Sequence, residues 1–288
     1  MTMTMTMTRR ARLAAAVLLA ALAVLPAVAQ AGPGSRPGSE IVGGTPVGSK
    51  AEFPFMAAVD NVNTEEPYWC GGSVIAPRYV VTAAHCAYDF DLLQVVTPGE
   101  RRVAVGYLDL GKAPERAWIP VRRVMVHPKF DPVRSGLSYD VAVLELAAPV
   151  TGVTPARLPA AGDQTGERRG DEMTVIGWGR KYAFGPASAR LRQATVQVEA
   201  GWQCKQDFGG GGDFSIALSA CFYTPGKSAC NGDSGSPVLA REGDRWVQRG
   251  IVSGGYICAG LNIPWFGTRL SNPEINRFVR ETAGLKGS

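Results

Sequence analysis

The chain has 288 residues, 45% of them hydrophobic and 19% charged, which is ordinary for a globular protein and unlike a disordered or collagenous one. Its formal charge is +5. Arg9, Arg10, Arg12 and Arg36, set against Glu40, supply three of those charges, so residues 41–288 carry only +2. That surplus, with no basic stripe interleaved with aromatics, gives no case for nucleic acid as a partner.

In chain order, the first feature is a leader. Arg9, Arg10 and Arg12 form a basic stretch, Leu13 to Val28 is an uncharged Ala/Leu/Val run, and Ala27-Val28-Ala29 and Ala29-Gln30-Ala31 offer small-x-small cleavage sites. Residues 1–31 are therefore read as a secretory signal peptide, with a membrane anchor as the competing reading. Residues 32–40, rich in Gly, Pro and Ser, follow as a pro-segment.

From Ile41 onward the texture is all-β. Short runs rich in Val, Ile and Tyr recur between Gly, Pro and Asp, which predicts strands at Ser73–Ile75, Tyr79–Thr82, Arg102–Val105, Val121–Val126, Val141–Leu146, Met173–Ile176, Ala194–Val198, Pro237–Leu239 and Val247–Ser253. Many short strands at even spacing predict barrels or sandwiches rather than βαβ units. Gly209 to Gly212 reads as a surface loop. Asn272-Pro273 supplies an N-cap and first position for a closing helix, with Ile275, Phe278 and Val279 on one face.

Six cysteines, Cys70, Cys86, Cys204, Cys221, Cys230 and Cys258, in an exported chain predict three disulfides, with the pairing left open by counting alone. Zinc is the weaker reading, because there is no Cys-x-x-Cys pair and there are only two histidines. No metal and no cofactor are expected.

The strongest local signal is Gly232-Asp233-Ser234-Gly235-Ser236-Pro237. A serine hydroxyl becomes a nucleophile when a base takes its proton, and it needs N–H donors aimed at the oxyanion that forms. Flanking glycines let the backbone turn tightly and approach a substrate, although the hexapeptide alone also fits an ordinary Gly/Ser turn. Two histidines are candidates for the base. His85 sits in Val81-Thr82-Ala83-Ala84-His85-Cys86, where the neighbouring cysteine can pin its loop. His127 precedes a proline at a strand end and reads as structural. Asp140 opens the apolar run Val141-Ala142-Val143-Leu144, and an acid leading into a buried strand needs a partner. The acids Asp89 and Asp91 read as solvated loop residues.

Taken together with Ile41-Val42-Gly43-Gly44, Cys70-Gly71-Gly72-Ser73, Gly177-Trp178-Gly179 and Ser253-Gly254-Gly255, these pieces resemble the chymotrypsin/trypsin family of serine peptidases, in that family's His–Asp–Ser order. The resemblance, read as one to a secreted member of bacterial type, covers nearly all of residues 41–288. It implies two packed six-stranded antiparallel β-barrels with a C-terminal helix and a site in the cleft between them. It implies a catalytic triad of His85, Asp140 and Ser234, and an oxyanion hole at the backbone N–H groups of Gly232 and Ser234. It implies disulfides Cys70–Cys86, Cys204–Cys221 and Cys230–Cys258, with residues 253–255 binding the substrate backbone as an added strand.

Activation by a cut before Ile41 is also implied, the new amine pairing with Asp233. Glu40 stands where many relatives have Arg or Lys, which points away from a trypsin-like activator. Ser228 would form the floor of the primary pocket and Gly255 its rim, so cleavage after Arg or Lys is not favoured. Trp265 replaces a glycine and Gly267 a tyrosine of the usual pocket wall. The indole could narrow the pocket toward small side chains, turn aside into the room at Gly267, or simply fill the core. Ser236 replaces a glycine often found two residues after the nucleophile.

The expected product is a secreted, monomeric endopeptidase of apolar preference. Its expected partners are polypeptide substrates and protein inhibitors, with neither nucleic acid nor membrane. A non-catalytic binding protein on the same fold is the alternative, and an α/β-hydrolase esterase is disfavoured because both histidines precede Ser234.

Overall fold

A computed structural model describes residues 41–64, 70–182, 185–208, 214–255, 258 and 263–286. The expected signal peptide, the expected pro-segment with Glu40, and the whole run Gly209–Gly212 expected as a loop lie outside the described residues, which end at Phe208 before that run and resume at Phe214.

Fifteen strands and two α-helices are described. The strands are β1 (Thr45–Pro46), β2 (Met56–Asn61), β3 (Cys70–Ala76), β4 (Tyr79–Thr82), β5 (Tyr88–Asp89), β6 (Gln94–Val95), β7 (Arg101–Val105), β8 (Ile119–Val126), β9 (Ala142–Leu146), β10 (Glu172–Gly177) and β11 (Arg192–Glu199), followed by β12 (Ser219–Phe222), β13 (Pro237–Glu242), β14 (Arg245–Gly254) and β15 (Trp265–Arg269). The helices are α1 (Gly201–Phe208) and α2 (Pro273–Thr282). Among the described residues no helix is long and apolar enough to cross a membrane.

The strands close into two antiparallel six-stranded barrels. The first runs β2-β3-β4-β9-β8-β7. The second runs β11-β10-β13-β14-β15-β12 and closes where β12 pairs with β11 at Val198↔Phe222. The short β1, which precedes the first barrel in sequence, lies on β11 of the second. Closure removes the exposed edges that an open sheet would leave.

Side-chain alternation explains which faces turn inward. In β11, Ala194, Val196 and Val198 are buried while Thr195 and Gln197 face solvent. In β9 every residue is buried, and its one acid, Glu145, accepts from Arg123 Nε at 2.6 Å. β2, Met-Ala-Ala-Val-Asp-Asn, is buried almost throughout, so it shows no period of two and does not announce itself in the sequence.

The closing helix α2 is capped as expected. Asn272 Oδ1 accepts from the N–H groups of Glu274 and Ile275 at 3.0 and 3.1 Å, satisfying two of the free donors of the first turn. Ile275 and Val279 enter the same core as the first barrel. Helix α1 was not expected. It buries Cys204 and Phe208, and the Cys204–Cys221 bridge fastens it to β12, a closure of 17 residues worth about 3 kcal/mol.

Candidate active site

The segment Cys230–Ser236 is a tight turn stitched to both barrels. Within it, the Asp233 N–H donates to Cys230 O at 2.8 Å and the Ser236 N–H to Asp233 O at 2.9 Å. Toward the first barrel, Gly71 N–H on β3 donates to Ser234 O at 2.7 Å. Toward the second, Gly235 N–H donates to Val252 O on β14 at 2.8 Å. Gly235 has φ of 80°, and a Cβ there would stand 2.2 Å from Thr82 Oγ1 and 2.4 Å from Gly71 O. Only glycine fits both the conformation and the space. Thr82 ends β4 directly before the turn that carries His85, so the serine turn and the histidine turn press on each other. Ser236, standing where a glycine is common, is accommodated because Gly71 has no side chain: a Cβ on Gly71 would meet the Ser236 Oγ at 2.0 Å.

His85 lies in a 3-10 turn, Ala84–Ala87, pinned by the Cys70–Cys86 disulfide to β3. Its Nδ1 donates to Asp140 Oδ2 at 2.8 Å, and its backbone N–H donates to Asp140 Oδ1 at 2.9 Å. A proton on Nδ1 leaves Nε2 bare and able to accept another. Burial alone would lower the His85 pKa, but the charge and the hydrogen bond of Asp140 outweigh it and raise it above the usual 6.5.

Asp140 is fully buried and carries further donors. Ser253 Oγ donates to Oδ2 at 2.5 Å, and Thr268 Oγ1 donates to the Asp140 carbonyl at 2.8 Å. Both come from the second barrel, so the acid of the first is held from across the cleft. Tyr139, just before it, adopts φ of 57°, a conformation that a bulky side chain rarely takes. Its ring stacks on His127 at 4.7 Å, and its hydroxyl donates to Glu274 Oε2 at 3.0 Å. His127 is buried between Tyr139 and Phe278, and burial lowers its pKa, so the second histidine is a neutral packing element.

Asp233 points away from Ser234. Its Oδ1 accepts from Gly179 N–H at 2.8 Å and its Oδ2 from Cys230 N–H at 2.9 Å. The motif Gly177-Trp178-Gly179 follows from this, because a Cβ on Gly177 or Gly179 would come within 2.0 or 2.4 Å of that carboxylate. Burial pushes the Asp233 pKa up to about 7, against the two N–H donors. No cation faces it among the described residues. Ile41 is fully buried in the core that includes Ala229 and Val252, and Val42 bridges to Ser228. In the uncut chain the Ile41 nitrogen is an uncharged amide.

Among the described residues, the N–H groups of Gly232, with φ of 92°, and of Ser234 donate to no protein acceptor. The Cys230–Cys258 bridge ties the Ser228–Cys230 segment to the stretch beyond β14. Ser228 is buried, with its hydroxyl donating to Ala229 O at 2.6 Å. Trp265 is also buried and lies beside Gly255. The three disulfides are therefore Cys70–Cys86, Cys204–Cys221 and Cys230–Cys258, with no free cysteine. Cys70, His85 and Cys86 offer ligand atoms within 4.8 Å of one another, but both sulfurs are used in the disulfide and offer no thiolate to a metal.

Comparison with known proteins agrees with this geometry. The family model described as Trypsin matches residues 41–277. Serine protease SP24D of Anopheles gambiae is 37% identical over 217 residues, which is 75% of this chain and 73% of that one. Trypsin 5G1 of Aedes aegypti is 33% identical, covering 87% of each chain. Trypsin-1 of Astacus astacus is 31% identical over 80% of this chain and 95% of its own length. These relatives are animal proteins, so they lend no support to the expectation of a bacterial-type member.

Proposed function

Because the chain belongs to the trypsin family and is a serine endopeptidase, we propose that it cleaves polypeptides through Ser234, His85 and Asp140. Ser234 Oγ attacks the scissile carbonyl while His85 Nε2 takes its proton. The tetrahedral oxyanion is met by the N–H groups of Gly232 and Ser234. His85 then gives its proton to the leaving amine, and water repeats the sequence on the acyl-enzyme. Asp140 holds the imidazole in the required tautomer and stabilises its cation. The observation that carries this reading is the pair of bonds from His85 to the Asp140 carboxylate.

The leader and the three disulfides support secretion of the chain as a precursor. A cut before Ile41 would create an ammonium that supplies the charge Asp233 lacks, and their pairing would fix the turn that presents the oxyanion donors. The preference before the scissile bond is apolar rather than Arg or Lys, since Ser228 offers no charge to a basic side chain. Residues 253–255 serve as the strand that receives the substrate backbone, and protein inhibitors would use the same edge. The working form is a monomer.

A fluorophosphonate, which reacts only with an activated serine, tests the reading. The chain processed to begin at Ile41 is expected to be labelled on Ser234 at least 100-fold faster than the uncut chain. Equal, slow labelling of both would overturn it.

A further inference from the structure

Asp140 sits between β8 and β9 in a turn whose two flanks are tied down separately. Val141 N–H donates to Tyr139 O at 2.7 Å, which closes a three-residue turn centred on the acid. Val141 O accepts from His127 N–H at 3.0 Å and so fixes the flank toward β9. On the other flank Tyr139 holds φ of 57°. That left-handed conformation is unfavourable for a residue with a Cβ, and a bulky ring stays in it only where its surroundings hold it. The backbone direction at residue 139 decides how the chain enters Asp140, and therefore where the carboxylate points.

The surroundings are supplied by α2. Glu274 and Phe278, four residues apart, share one face of that helix. Glu274 Oε2 accepts from the Tyr139 hydroxyl at 3.0 Å, a bond strengthened by the charge on the carboxylate. Phe278 meets the His127 ring edge to face at 4.8 Å, and His127 stacks on the Tyr139 ring at 4.7 Å with planes 16° apart. Lys129 closes the circuit. Its Nζ pairs with Glu274 Oε1 at 2.6 Å and lies 5.2 Å from the centre of the Tyr139 ring. The hydrogen bond from Lys129 lowers the Glu274 pKa, so the acceptor is an anion at neutral pH. With Lys129 more than half exposed, the ion pair itself adds little to stability. Its effect is to hold the carboxylate where the phenol hydroxyl reaches it.

We infer that Glu274, acting through Tyr139, is a positioning residue for Asp140: the closing helix holds the residue before the acid in its left-handed conformation and so aims the Asp140 carboxylate at His85. The inference rests on the endopeptidase reading and adds to it a link between residues 135 positions apart.

A double-substitution cycle at residues 139 and 274 tests it, in the processed chain, on a peptide the wild type cleaves. Asn adopts the left-handed conformation at little cost, so a chain with Tyr139→Asn needs no anchor at that position. In the wild-type background Glu274→Ala is expected to lower kcat about 10-fold with KM within about twofold. It is also expected to move the acid limb of kcat/KM to lower pH, because His85 loses part of its hold on Asp140. In the Tyr139→Asn background the same substitution is expected to change kcat by less than about twofold and to leave the limb in place. Tyr139→Phe, which deletes only the hydroxyl, should reproduce the effect of Glu274→Ala and serves if that variant misfolds. An equal loss in both backgrounds overturns the inference. So does a lowered melting temperature with kcat and the acid limb unchanged. Both results leave the endopeptidase reading standing, since the wild type still turns over and its Ser234 is still labelled by the fluorophosphonate. Absence of both turnover and labelling in the wild type overturns that reading and this inference with it.

Discussion

Asp140 receives donors on both carboxylate oxygens: the His85 N–H on Oδ1, and the His85 ring and the Ser253 hydroxyl on Oδ2. Each donor draws off part of the negative charge that raises the His85 pKa. Removing the hydroxyl therefore leaves a stronger anion, which holds the imidazolium more tightly. On the proposed mechanism His85 must be neutral to act, so kcat/KM should fall as pH is lowered through a pKa above 6.5. Ser253→Ala is expected to move this acid limb to higher pH and to cost on the order of 10-fold in kcat/KM at pH 8. An unmoved or lowered limb would show that Ser253 does not act on Asp140. His85 and Asp140 were legible in the sequence because each stands beside a motif or a buried run. Ser253 and Thr268 were not legible as partners of Asp140, since these bonds span 113 and 128 residues and form only once both barrels are built.

The turn Cys230–Ser236 buries an acid whose only described partners are two N–H groups, and this has a consequence for the uncut chain. Folding raises the Asp233 pKa from 3.8 to about 7, so between those values the folded state holds a proton that the unfolded state has released. Stability therefore falls as pH rises from about 4 to about 7. Melting temperatures of the Ser234→Ala precursor across this range should decline more steeply than those of the same precursor carrying Asp233→Asn. Parallel curves would mean that the carboxylate is already compensated. At this scale the legible elements were those with a marked pattern, such as the alternation of β11 and the Asn-Pro start of α2. β2 escaped because it is buried nearly throughout, and α1 because a helix of eight residues opening on Gly201 carries little of the 3.6 period.

At the scale of the molecule, neither barrel holds the site alone. His85 and Asp140 belong to the first, while the serine turn, Ser253 and Thr268 belong to the second. The bonds from Gly71 to Ser234 and from Ser253 to Asp140 run in opposite directions across the junction. The two-barrel architecture was legible from many short strands and the family motifs in order, whereas the pairing of barrel faces depends on contacts between distant segments. Ser234→Ala in the processed chain, measured on a peptide the wild type cleaves, tests the central claim most directly. The loss expected is about 10⁵–10⁶-fold in kcat, with the fold and melting temperature retained. Turnover within tenfold of wild type would contradict Ser234 as the nucleophile.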